Sequence, residues 1–211
     1  MKELNLLKIS KPKAFLGKTT TKVRKIAVKL ALEYKGNILD VGCGNCLLFL
    51  ELLSKYRFDH KILYGLDIKY DLLKEAIDIS KDNLLPLPNL INGDGTSLPF
   101  KNKSFNIIFC LNSFVNFNKD TIEKLLSEFS RVVKDDCIII FDIRNKRNIL
   151  LNIKYKISQL KIPLKIRTYS ISELKPILNK YNFSIKKIIN VRLTPFIIID
   201  KIIILKKETV K

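Results

Sequence analysis

The chain of 211 residues has no tryptophan, one histidine and four cysteines. Four scattered cysteines in a chain of this length do not form the disulfide framework of a small secreted domain. No segment approaches the roughly 20 uninterrupted apolar residues that a membrane span requires, and the most apolar stretch, 196–205, is interrupted by Asp200 and Lys201. The N-terminal sequence MKELNLLKIS lacks the apolar core and cleavage site of a signal peptide. We therefore expect a cytoplasmic protein without a membrane span.

The chain also lacks repeats, low-complexity segments and linkers rich in proline, glycine or serine. Its length is within reach of one domain, and 47% of its residues are hydrophobic, which is ordinary for a globular protein. We predict a single domain over residues 1–211.

Acidic residues are scarce relative to basic ones, and the formal net charge is +19. One interpretation is an electrostatic surface for nucleic acid or an anionic membrane. The other is biased codon usage, since only seven of the 39 basic residues are arginine and isoleucine and asparagine are abundant as well. The lysines are spread along the chain, which is typical of solvated faces. The charge by itself is weak evidence for RNA.

Short strand-like runs alternate with segments of helical periodicity. This alternation predicts an α/β protein with a doubly wound parallel sheet and helices on both faces. Ligands of such sheets bind beyond the carboxyl ends of the strands. The predicted strands are Asn37–Val41, Lys61–Asp67, Leu90–Asn92, Phe105–Leu111, Cys137–Asp142, Phe183–Val191 and Ile197–Lys206. The predicted helices are about Thr21–Leu32, Leu47–Tyr56, Asp71–Ser80, Asp120–Val133 and Ile171–Tyr181.

A glycine-containing turn, Asp40-Val41-Gly42-Cys43-Gly44, follows the first strand. Glycines allow the backbone to approach a ligand closely, and the following helix offers free N–H groups. The alternative is a tight turn without a ligand. A dinucleotide fingerprint would need a third glycine where Leu47 stands, which makes NAD less favoured.

Acidic residues end the next two strands. Asp67 ends the second strand, where a carboxylate can accept hydrogen bonds from both hydroxyls of a ribose. Asp94, in Gly93-Asp94-Gly95, follows the third strand and can accept the amino group of adenine. A solvated strand-end aspartate and a local turn are the alternatives for each alone. Three such features at successive strand ends favour a nucleoside-containing ligand.

Cysteine and histidine chemistry is the less favoured interpretation. Cys43 and Cys46 form a C-x-x-C motif, which in another context indicates redox activity. A zinc site needs four ligands, and Cys137 begins its strand at the opposite edge of the sheet. We expect both thiols to be reduced and free of metal. His60, the one histidine, precedes the second strand and is poorly placed as a general base.

Four segments, in order and spacing, resemble the motifs of class I S-adenosylmethionine-dependent methyltransferases. The similarity covers about residues 36–142 and is greatest to the group that includes the ubiquinone and menaquinone methyltransferases. It implies a Rossmann-like, mostly parallel seven-stranded sheet whose last strand is antiparallel. It also implies S-adenosylmethionine as the cofactor. The segments are ILDVGCG, GLDIKYDLLKEA, NGDGTSLPFKNKSFNIIFC and LLSEFSRVVKDDCIIIFD.

The resemblance implies a role for each strand end. The first loop would hold the methionine part of the cofactor, the end of the second strand the ribose, and the end of the third strand the adenine amino group. The end of the fourth strand, through Asn112, would border the cofactor and the acceptor. The expected cofactor-binding residues are Asp40, Gly42, Cys43, Gly44, Asp67, Ile68, Asp94, Gly95, Cys110 and Leu111.

The sequence departs from the family pattern at three places, which indicates a divergent member. Cys46 stands where the family commonly has a third glycine, and Asn106 where an aspartate is usual. The residues Asp135-Asp136-Cys137 stand where Pro-Gly-Gly often precedes the fifth strand.

The acceptor is the open question. A small molecule is favoured, and an RNA- or protein-directed enzyme that uses the basic surface is the alternative. A non-enzymatic module that binds an adenosyl group or a nucleotide is the less favoured third interpretation. Asn112, Ser113 and Tyr169 are candidate positioning groups, and no general base is identifiable. We predict a cofactor-binding core at about 36–142, an N-terminal cap at about 1–35 and an acceptor-side insertion at about 144–169.

Overall fold

The computed structural model describes residues 17–149, 151–153, 155, 157 and 166–208. Residues 149, 151–153, 155 and 157 are helical, and short 3-10 turns cover His60–Ile62 and Phe114–Asn116. The helices are α1 (Gly17–Leu32), α2 (Leu47–Lys55), α3 (Tyr70–Asp82), α4 (Lys119–Val132) and α5 (Ile171–Lys180). The strands are β1 (Ile38–Val41), β2 (Leu63–Asp67), β3 (Asn89–Asn92), β4 (Phe105–Cys110), β5 (Val133–Arg144), β6 (Phe183–Thr194) and β7 (Ile197–Lys207).

The strands form one sheet in the order β3-β2-β1-β4-β5-β7-β6. The pairs from β3 through β5 are parallel, whereas β7 lies between β5 and β6 and is antiparallel to both. From β1 the chain adds β2 and β3 on one side of the sheet, and it then returns to add β4 and β5 on the other side. The boundary between β1 and β4 is therefore the switch point, where ligands bind in such sheets. The predicted fold class, with its antiparallel last strand, is confirmed.

Helices cover both faces of the sheet because the side chains of the central strands alternate between two apolar clusters. Ile139 and Phe141 of β5 pack in the cluster that contains α4 and α5. Ile138 and Ile140 pack in the cluster that contains α1 and α2. The amphipathic helices and the apolar strands therefore determine a three-layer arrangement.

The fifth strand begins at Val133, directly after α4, rather than at Cys137 as predicted. Val133 is fully buried and pairs with Phe105, and the register shifts before the next pair along the two strands. Asp135 and Asp136 are exposed within the strand. The acidic pair therefore lies at an irregularity of β5, where charged side chains can face solvent, and not in a loop before it.

Helix α1 begins at Gly17 and packs against α2 and β6. Arg24 Nε donates to Glu51 Oε2 of α2 over 2.7 Å, and Lys22 Nζ donates to the carbonyl of Arg192 over 2.8 Å. This part of the predicted N-terminal cap thus covers the sheet; residues 1–16 lie outside the described residues. None of the helices in the described ranges has the length and apolarity needed to cross a membrane.

Candidate active site

The loop after β1 comes close to two neighbouring strand ends. Gly42 and Gly44 have φ angles of 75° and 56°, which favour glycine. The N–H groups of Gly42 and Cys43 donate to the carbonyl of Leu66 over 2.8 and 3.1 Å. A Cβ at Gly42 would lie 2.5 Å from Ser113 Oγ. This loop therefore needs glycine both for its conformation and for its distance to the turn after β4.

Cys46 stands where a third glycine is common in the family that the sequence resembles, and its backbone conformation is one that favours glycine. It is fully buried at the N-cap of α2 and has a φ angle of 58°, a conformation that glycine adopts more readily. A Cβ at Gly65 would lie 3.0 Å from Cys43 Sγ and 3.2 Å from Cys46 Sγ, so the two thiols lie together over β2. A hydrogen bond with Cys46 and burial raise the pKa of the Cys43 thiol. Cys43 is therefore a neutral thiol rather than a reactive thiolate.

Asp67 joins the loop after β1 to the end of β2. Its Oδ2 accepts a hydrogen bond from Gly44 N and its Oδ1 accepts one from Lys69 N, both over 2.8 Å. The residue is 8% exposed, whereas its neighbour Ile68 is 67% exposed. Each carboxylate oxygen can accept a second hydrogen bond. The carboxylate is thus held in place while it can still accept from a ligand.

Asp40 is an almost buried carboxyl at the end of β1, with 4% of its surface exposed. Burial and the charge of Asp67 raise the pKa of Asp40 from 3.8 to about 8. A cationic ligand beside these two carboxyls would offset the cost of ionising Asp40. The acidic pair therefore fits a cofactor that carries positive charge.

Asp94 lies at the end of β3, beside the end of β2. The N–H of Gly93 donates to the carbonyl of Asp67 over 3.1 Å, which ties the two strand ends together. Asp94 is exposed, and its Oδ1 accepts a hydrogen bond from Thr96 N over 2.8 Å. The local turn predicted as the alternative is therefore formed, and the carboxylate keeps capacity for a ligand.

The remaining predicted residues have different environments. A Cβ at Gly95 would lie 2.6 Å from Val41 Cγ1 and 2.8 Å from Leu125 Cδ2, so this glycine packs tightly against β1 and α4. Cys110 is fully buried, and Leu111 is half-buried. The Cys110 side chain is part of the core, so a ligand could meet this residue only through its backbone.

Sequence reasoning missed a buried charged network beside the turn after β4. Asn112, with a φ angle of 55°, donates its N–H to Asp142 Oδ1, and Arg144 Nη2 donates to Asn112 Oδ1 over 3.2 Å. Arg144 Nη1 lies 2.5 Å from Asp200 Oδ2. Burial raises the pKa of Asp142 to about 6, against the opposing charge of Arg144. The available signal was the placement of charged residues inside the apolar strands β5 and β7.

The other two candidate positioning groups are engaged within the protein. Ser113 Oγ donates to the carbonyl of Leu111 over 3.1 Å, and the Tyr169 hydroxyl donates to the carbonyl of Phe117. A cavity of about 280 Å³ lies at the same edge of the sheet, where β5 ends. It is lined by Ile143, Asn145, Lys146, Arg147, Tyr169, Ser170, Ile171, Ser172 and Lys201.

Comparison with known families finds a match to the central part of the chain. Residues 38–136, which include the strand ends described above, match a family described as "Methyltransferase domain". This match supports the predicted enzyme class, and it is consistent with S-adenosylmethionine as the cofactor.

Proteins of similar sequence or similar fold include two solved methyltransferases. An uncharacterized protein of Methanocaldococcus jannaschii is 33% identical over 108 residues, which are 51% of this chain and 37% of the relative. The chain thus spans well under half the length of that relative. Magnesium protoporphyrin IX methyltransferase from Synechocystis, with bound S-adenosylhomocysteine, has a TM-score of 0.71 at 18% identity, covering 95% of this chain and 90% of that one. An S-adenosylmethionine-dependent methyltransferase from Clostridium acetobutylicum has a TM-score of 0.66 at 17% identity, covering 90% and 92%.

Proposed function

We propose that the chain is an S-adenosylmethionine-dependent methyltransferase that acts on a small molecule. The observation that carries the proposal is the pairing of Gly44 N with the Asp67 carboxylate, at the edge of the sheet where Asp40 and Asp94 also lie. The cofactor supplies a methyl group already activated on a sulfonium. The residues of the chain bind it, orient the acceptor and exclude water.

We assign each acidic strand end to one part of the cofactor. Asp67 accepts the ribose hydroxyls, which is supported by its fixed position and spare lone pairs. Asp94 accepts the adenine amino group from the neighbouring strand. Gly42 and Gly44 allow the methionine part to approach the backbone. Asp40 stabilises the positive charge of that part once it ionises, and the bound cation offsets the cost of ionising this buried carboxyl.

The distribution of charge favours a small acceptor over RNA. Lysines occur on several helices and on β6, on both sides of the sheet, and are not confined to the carboxyl edge. Examples are Lys25, Lys29, Lys74, Lys81, Lys119, Lys124, Lys175, Lys180, Lys186 and Lys187. One protein of similar fold is named for a small acceptor, magnesium protoporphyrin IX. The narrower resemblance to ubiquinone and menaquinone methyltransferases stays a prediction.

The insertion after β5 is proposed to cover the acceptor. Its described residues Leu151 and Tyr155 pack against Ile199 at the start of β7. Farther along, Arg167 N donates to the carbonyl of Val115 over 2.8 Å, in the turn that follows β4. These contacts support a cover that begins and ends at the carboxyl edge of the sheet.

The test is a comparison of cofactors followed by a screen for acceptors. Calorimetry is expected to show S-adenosylhomocysteine binding with micromolar affinity, roughly 8 kcal/mol, and weaker binding of NADH. Labelled S-adenosylmethionine is then incubated with small cell metabolites and with total RNA at several salt concentrations. A preference for NADH contradicts the cofactor assignment, and label only in RNA contradicts the acceptor class.

A further inference from the structure

The turn after β4 brings one amide side chain to the edge where methyl transfer would occur. Asn112 directly follows Leu111 and precedes Ser113, the residue that a Cβ at Gly42 would strike. Because β1 and β4 are parallel neighbours, their carboxyl ends lie side by side. Asn112 is half-buried, so part of this residue is exposed at the edge.

Arg144 determines which end of the Asn112 amide faces outward. A guanidinium can only donate hydrogen bonds, so it binds the amide oxygen and not the nitrogen. The observed contact joins Arg144 Nη2 to Asn112 Oδ1. Arg144 is itself held by Asp200, its directly opposite partner on β7, and its side chain is 5% exposed. The Asn112 nitrogen therefore points away from this network and offers only donors.

The rest of the turn offers few acceptors to a ligand. Asp142 is buried, with 2% of its surface exposed, and the carbonyl of Leu111 accepts a hydrogen bond from Ser113 Oγ. A methyl acceptor with N–H groups would need such acceptors to orient it, whereas an acceptor with a charged oxygen needs donors. The N–H donors of Asn112 are therefore suited to an acceptor molecule that presents an oxygen.

We propose that the methyl acceptor is a small-molecule carboxylate and that Asn112 donates a hydrogen bond to it. This inference rests on the proposed function. A carboxylate oxygen attacks the methyl carbon, the new O–C bond forms as the C–S bond breaks, and sulfur keeps the electron pair. The anion and the sulfonium become a neutral methyl ester and a thioether, so no proton has to be removed. This chemistry needs no general base, and His60, the one histidine, lies before β2 at the opposite edge.

Cationic side chains at the same edge are consistent with an anionic acceptor. Arg147 and Lys201 line the cavity at the end of β5, and within the described ranges neither forms an ion pair. Lys146, which also lines it, lies 2.6 Å from Glu173 Oε1 and is neutralised. Two uncompensated positive charges would attract a carboxylate toward this edge.

The experiment compares Asn112 with a matched asparagine elsewhere. Asn112→Asp keeps an oxygen for Arg144 but removes both N–H donors, and Asn112→Gly suits the positive φ angle while it removes the side chain. Asn182, with a φ angle of 58°, is exposed in the turn before β6 at the opposite edge, and Asn182→Asp and Asn182→Gly serve as controls. S-adenosylhomocysteine binding is measured by calorimetry, and melting temperature reports folding.

Carbon-13-methyl S-adenosylmethionine is incubated with a small-metabolite extract, and NMR identifies the methylated atom. We expect base-labile methyl esters, and transfer about 10- to 100-fold slower in both Asn112 variants with cofactor affinity within about threefold. The Asn182 variants are expected to match the wild type. A methyl group on nitrogen, sulfur or carbon, absence of any ester, or normal transfer by Asn112→Asp overturns the inference. Failure of the wild type to bind S-adenosylhomocysteine would instead overturn the proposed function.

Discussion

The backbone N–H of Gly44 donates a hydrogen bond to the Asp67 carboxylate over 2.8 Å. The loop after β1 and the end of β2 are thereby joined, although 23 residues separate the two partners in the chain. A change at Asp67 is expected to affect both the shape of this loop and the groups that it offers to a ligand.

The first prediction concerns Asp67 itself. Asp67→Ala is expected to weaken S-adenosylhomocysteine binding by about 1–3 kcal/mol, since buried donors lose their acceptor. Asp71→Ala, at an exposed position in the first turn of α3, is the matched control and is expected to bind normally. Calorimetry on the three proteins measures the difference. Equal affinities would contradict the ribose assignment.

The second prediction tests the conformation of Cys46. Cys46→Gly is expected to unfold at a urea concentration close to that of the wild type, because glycine accepts the positive φ angle. Cys46→Val is expected to be less stable by about 1–3 kcal/mol, since a β-branched residue is strained there. Cys137 lies within β5, and there the order of stability of the two variants is expected to reverse. Cys137→Val is expected to be tolerated and Cys137→Gly to be destabilising. The same order at both positions would refute the explanation.

The third prediction concerns the packing of Gly95. Gly95→Ala is expected to destabilise the protein by about 1–3 kcal/mol, because the new methyl group would overlap Val41 and Leu125. Gly93→Ala is the control, since its Cβ would come no closer than 3.3 Å to Leu66. Thermal or urea unfolding measures both variants. A Gly95→Ala protein as stable as Gly93→Ala would show that the turn after β3 can move aside.

The fourth prediction is a pH dependence that Asp40 causes. Its pKa is raised from 3.8 to about 8, so the folded protein holds this proton more tightly than the unfolded chain. The contribution of this group to stability is therefore complete below about pH 4 and is lost as the pH rises through about 8. Conversely, affinity for the cationic S-adenosylmethionine is expected to rise between about pH 6 and 9, as Asp40 ionises.

Calorimetry across this pH range with the wild type and Asp40→Asn tests the effect. The variant carries no ionisable group at this position, and its affinity is expected to stay level. An equally steep rise in the variant would assign the dependence to another group.

Local patterns in the sequence were sufficient for the fold class and for the acidic strand ends. The apolar runs of β1 and β2 and the residues that end them are contiguous, so Asp40 and Asp67 could be placed at one edge without knowledge of distant contacts. The structure agrees with that placement for Asp94 as well. The cofactor contacts of these residues stay predictions.

The sequence by itself determined the alternation of strands and helices, because hydrophobic periodicity is a local property of the chain. Only the tertiary structure decided the network of Asn112, Arg144 and Asp200, which come from three separate strand ends. Their meeting depends on the position of β7 between β5 and β6 and on a register that sets Arg144 opposite Asp200. Register is determined by packing across the whole sheet, since a slip of one residue would turn Arg144 to the other face.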